Sequence, residues 1–96
     1  MKTLKEIKNT LTKHKEKLKH NYKVKKIGIF GSYARGEQKE TSDVDVLVEF
    51  EEPVGFAFIH LADSLEELLG LKVDLTTKDA IKPNRWKYIK DDLVYV

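Results

Sequence analysis

The chain has 96 residues, no cysteine, 35% charged side chains and a formal net charge of +2. That length predicts one domain spanning residues 1–96, with a single modest core and no second domain to grip an acceptor substrate; the absence of cysteine excludes disulfides and thiolate metal sites. No apolar run approaches a membrane span and the amino terminus has no apolar signal core, so the sequence predicts a soluble, cytoplasmic protein without membrane contact.

In chain order, Thr3 with Glu6 three residues later forms a capping-box pattern that fixes a helix start. Leu4, Ile7, Leu11 and Leu18, with His14 between them, share one face at helical spacing and predict a helix over 4–19 within a basic amphipathic segment, 1–22. Charge divides sharply along the chain. Residues 1–26 carry ten lysines against two glutamates, whereas 27–96 carry eight basic against fourteen acidic side chains. Such an arm suits nucleic acid or an acidic partner, but the lysines also fit the solvated side of that helix.

A buried strand follows over 24–30, then a turn at Gly31-Ser32 that opens a short helix, and a second strand over 43–50 that ends at Glu51-Glu52-Pro53. After the Pro53-Val54-Gly55 turn, Phe56, Ile59, Leu61, Leu65, Leu68 and Leu69 form an amphipathic helix that Gly70 stops. Phe56 and Phe58 are two apart, so both cannot face the core and one is free for a partner. A third strand is expected over 72–76, a short helix over 84–90 and a last strand over 93–96. Alternating strands and helices predict an α/β (α+β) fold, a small mixed sheet with helices packed on it.

Chemistry concentrates between the first two strands. Gly31 permits a strained turn close to a ligand, and the Ser32 hydroxyl and following amides suit phosphate oxygens. Asp43 and Asp45, two apart at a strand start, project to one face, and paired carboxylates beside bound phosphates are what Mg²⁺ requires. A lone Gly-Ser is ordinarily a turn and a lone Asp-x-Asp ordinarily a cap. All four at fixed spacing arise by chance on the order of 10⁻³ times in a chain this long. Asp74, between Val73 and Leu75, faces away from the core with Lys72 and Thr76. Arg35 can reach a phosphate or pair with Glu37 or Asp43. His14, His20 and His60 show no metal-ligand spacing, and nothing gives Ser32 a general base. Trp86 and Tyr88 read as packing or interface residues.

The run Ile29-Phe30-Gly31-Ser32-Tyr33-Ala34-Arg35-Gly36-Glu37, with Thr41-Ser42-Asp43-Val44-Asp45-Val46-Leu47-Val48, closely resembles the minimal nucleotidyltransferases of the DNA polymerase β-like superfamily, the MNT-type antitoxins. The later Lys72-Val73-Asp74-Leu75 and the closing Ile81-Lys82-Pro83 and Leu93-Val94-Tyr95-Val96 extend the resemblance nearly end to end. It implies Asp43, Asp45 and Asp74 as catalytic and metal-binding carboxylates for two Mg²⁺ ions, with Asp74 completing the site on the acceptor side. Gly31, Ser32 and Arg35 would hold the nucleotide. It further implies a HEPN-type RNase toxin as partner, with ATP as donor of AMP to a toxin tyrosine and pyrophosphate released. Two other functions stay open: a non-catalytic antitoxin that acts by stable association, and a nucleotidyltransferase acting on RNA, weakly favoured by the basic arm, or on a small molecule.

Overall fold

The capping box forms as the sequence requires. In the computed structural model, which describes residues 2–96, the Thr3 side chain accepts from the Glu6 amide and Glu6 answers at the Thr3 amide, starting α1 (Leu4–Tyr22). α1 runs past the expected residue 19 to a left-handed Lys23 (φ 59°), since no glycine or proline stops it sooner. Ile7, Leu11 and Leu18 are buried while Lys5, Lys13, Lys15, Lys17 and Lys19 remain exposed. The basic arm is thus the solvated side of a packed helix.

β1 (Val24–Phe30) leads into α2 (Ser32–Arg35), and β2 (Val44–Phe50) follows. α3 (Ala57–Leu69) ends at left-handed Gly70 (φ 66°), and β3 (Val73–Thr77) runs next. A 3₁₀ turn at Lys78–Ala80 precedes α4 (Pro83–Asp92), which begins one residue before the expected 84 because proline suits the first helical position, and β4 (Val94–Tyr95) closes the chain. The sheet order is β3-β2-β1-β4, with β2 and β3 parallel and the other pairs antiparallel.

Register decides which residues share a face. Ile29 lies opposite Val46, which lies opposite Leu75, and Ile27 lies opposite Val48. These side chains join Ile7, Leu11, Leu18, Leu61, Leu65 and Leu69 in the core beneath α1 and α3. Each fully buried Leu or Ile contributes about 1.5–3 kcal/mol relative to exposure. The alternate row, Phe30 opposite Asp45 opposite Asp74, faces the other way. Phe56 is 81% exposed, whereas Phe58 packs edge-on against Phe50 at 6.4 Å. No helix among the described residues is long and apolar enough to cross a membrane.

Candidate active site

The second face of the sheet floors a cleft of about 570 Å³. Phe30, Asp45, Asp74 and Thr76 rise from β1, β2 and β3; Gly31 and Arg35 come from the α2 turn; Ile81, Lys82, Arg85, Tyr88 and Asp92 line the α4 side. Asp45 and Asp74 are register partners on neighbouring parallel strands, so their carboxylates project side by side. Asp43 is exposed and lies just ahead of β2 rather than within it, because the ladder begins where the Val44 amide donates to the Lys72 carbonyl at 2.9 Å.

Asp45 is half-buried, and burial pushes its pKa up, with Asp74 and then Asp43 adding to the rise; Arg35 and Arg85 oppose it. A carboxylate held in repulsion by two others is a site that lacks counter-charge. Among the described residues, however, no set of three His, Cys, Asp or Glu side chains is arranged to hold a metal. Asp45 and Asp74 share one face across neighbouring strands, and Asp43 is exposed just ahead of β2, so the three carboxylates border the cleft without forming a closed cage by themselves. Mg²⁺ characteristically takes one or two carboxylates while retaining water and substrate phosphate oxygens. The donor set fits that mode: oxygen ligands, aspartate only, open to solvent beside a cleft.

Gly31 has φ 76° and ψ −152°, a conformation essentially confined to glycine. A Cβ there would lie 2.1 Å from Asp45 Oδ2. The Asp45 carboxylate thus fills the space that a side chain at position 31 would need, which ties the two halves of the motif together while Gly31 still lines the cleft. α2 is a single turn, closed by the Arg35 amide on the Gly31 carbonyl (3.1 Å) and the Glu37 amide on the Ser32 carbonyl (2.9 Å). Ser32 is half-buried at its start and, like Asp43, is not among the residues lining the cleft.

Of the partners open to Arg35, it takes Glu37 (Nε to Oε2, 3.0 Å) and, unforeseen, Asp92 (2.6 Å) rather than Asp43. The cations that line the cleft without a carboxylate partner among the described residues are Lys82 and Arg85. Tyr88, 68% exposed, lines it too. Sequence reasoning gave neither cation a role at the site. Trp86 is half-buried, with the Lys78 ammonium 4.8 Å from its ring centre.

Residues 11–96 match the family model described as nucleotidyltransferase domain. The chain belongs to the nucleotidyltransferase domain family. A Methanocaldococcus jannaschii nucleotidyltransferase relative, provisionally named protein adenylyltransferase MJ1217, is 56% identical over 98 residues, covering 100% of both chains. Protein adenylyltransferase MntA of Thermococcus cleftensis is 52% identical over 97 residues, covering 100% of this chain and 98% of its own. A crystal structure described as a toxin–antitoxin with AMP-PNP superposes with a TM-score of 0.70 at 26% identity, over 91% of this chain and 69% of that one. The chain is thus an enzyme of the nucleotidyltransferase family, with the mixed-sheet α/β fold and the resemblance expected from its motif.

Proposed function

We propose that this nucleotidyltransferase is a Mg²⁺-dependent protein adenylyltransferase that moves AMP from ATP to a tyrosine hydroxyl of a cognate HEPN-type RNase toxin, releases pyrophosphate, and so serves as the toxin's antitoxin. The observation that carries the reading is the register of Asp45 against Asp74 beside the Gly31 turn, at the floor of a cleft. The adenylyltransferase names of full-length relatives and the toxin–antitoxin neighbour with AMP-PNP support the donor and the partner.

In this reading Asp43 and Asp45 would hold the metal beside the nucleotide's phosphates, and Asp74 would complete the acceptor side. When bound there, magnesium would supply charge neutralisation at the phosphates and favour the ionised acceptor oxygen. The acceptor oxygen bonds to the α-phosphorus as the bond to the bridging oxygen of the β-phosphate breaks, and pyrophosphate departs. Asp74, exposed beside Asp45, takes the phenolic proton. Gly31 and Ser32 position the phosphates by backbone amides and a hydroxyl. Little else is required of the protein, since transfer at phosphorus depends chiefly on alignment and charge stabilisation. The setting is a cytoplasm that supplies ATP and Mg²⁺.

The test is the Asp43→Asn variant, incubated with toxin, ATP and Mg²⁺. Asp43 is exposed, so the variant should fold and still bind the toxin, while mass spectrometry should find no AMP on the toxin and RNase activity should persist. A variant that silences the toxin as well as wild type does would replace transfer by inhibition through stable association.

A further inference from the structure

A nucleoside triphosphate brings several negative charges into a cleft that already holds Asp45 and Asp74. Three cations line that cleft: Arg35, Lys82 and Arg85. Arg35 is engaged by Glu37 and Asp92, and a phosphate would have to displace two carboxylates from it. Arg85 is exposed in the first turn of α4 and Lys82 caps that helix, neither with a carboxylate partner among the described residues. Arg85 lines the same cleft as Asp45, and its charge acts on that carboxylate. Its forked donors match two phosphate oxygens at once, a geometry that a lysine cannot reproduce.

We infer that Arg85, with Lys82 beside it at the start of α4, binds the β- and γ-phosphates of the donor nucleotide and holds the departing pyrophosphate. The inference deepens the nucleotidyl-transfer reading and rests on it. The sequence motif then supplies one half of the nucleotide site, and a helix that begins 38 residues beyond Asp45 supplies the other. A clamp on the outer phosphates discriminates ATP from AMP, because AMP has nothing for Arg85 to hold.

Calorimetric titration with ATP and with AMP, each in Mg²⁺, tests this on wild type, Arg85→Ala, Arg85→Lys and Arg35→Ala, with thermal melting to confirm that each is folded. Arg85→Ala should weaken ATP by about tenfold or more, as expected for losing bonds to a charged group, and AMP by less than about threefold. Arg85→Lys should recover part of the loss, and Arg35→Ala should leave the ATP-to-AMP ratio within about threefold of wild type. An unchanged ratio in Arg85→Ala, or a collapse of the ratio in Arg35→Ala alone, overturns the inference while the nucleotidyl-transfer reading stands. Wild type that binds no ATP in Mg²⁺ removes that reading and the inference with it.

Discussion

Replacing Gly31 by alanine probes the contact that joins the two halves of the site. The backbone there, at φ 76° and ψ −152°, lies in the region that only glycine adopts readily, so any side chain costs about 1–3 kcal/mol before packing is considered. The new Cβ would then stand 2.1 Å from Asp45 Oδ2 and 3.0 Å from its Cγ. Relieving that overlap requires the carboxylate or the turn to shift, at a further cost of about 1–3 kcal/mol. The total of about 2–6 kcal/mol, at roughly 4–8 °C per kcal/mol for a domain of this size, lowers Tm by at least about 8 °C. A double-mutant cycle followed by thermal circular dichroism separates the two parts. Asp45→Ala removes Oδ2 and Cγ but leaves the 3.4 Å Cβ contact, so in that background Gly31→Ala should lose only the backbone share. The coupling between the sites should reach about 1–3 kcal/mol. Additivity within about 0.5 kcal/mol, or a Gly31→Ala melt indistinguishable from wild type, would refute the reasoning.

Asp45→Asn should abolish transfer yet stabilise the protein in the presence of a chelator. Because burial, Asp74 and Asp43 raise the folded pKa of Asp45, its ionised form destabilises the fold at neutral pH; the penalty disappears as pH falls through the raised folded value toward the ordinary carboxylate range. Relief of an exposed like-charge cluster is worth on the order of 0.5–1 kcal/mol after solvent screening, so Tm at pH 7 should rise by about 2–8 °C, and the gain should vanish in acid. An Asp45→Asn protein that melts below wild type at pH 7 contradicts this account. Glu66 Oε2 accepts from the Val73 amide at 2.9 Å, pinning α3 to the strand that bears Asp74. Glu66→Ala should cost about 1–2 kcal/mol and slow transfer, whereas Glu66→Gln, which retains an acceptor, should do less of both; equal melting of Glu66→Ala and wild type would show the bond to be idle.

Local signals carried the reading wherever the cause was itself local. The bounds of β1, the capping box and the Gly70 stop all follow from a few adjacent residues and hold in the structure. β2 starts one residue late, since its first bond depends on Lys72, a residue distant in sequence. The pairing of Asp45 with Asp74 was legible only as two acids on outward faces; their adjacency comes from a parallel register that no local pattern encodes. For the same reason Arg35 found Asp92, 57 residues away. Lys82 and Arg85 did leave a trace. Cations at a helix start with no acid in the first turn oppose the helix dipole, and such a local conflict commonly marks a functional position.

Because β3 is an outer strand, bonded to β2 along one side only, Asp74 belongs to a part of the fold that can open without breaking the pairing of β1 with β2. Detaching β3 would separate Asp74 from Asp45 while β1 and β2 stay paired beneath α1. Loss of β3 alone would thus end activity while the rest of the fold persists, so activity on warming is expected to fail at or below the temperature at which the core melts.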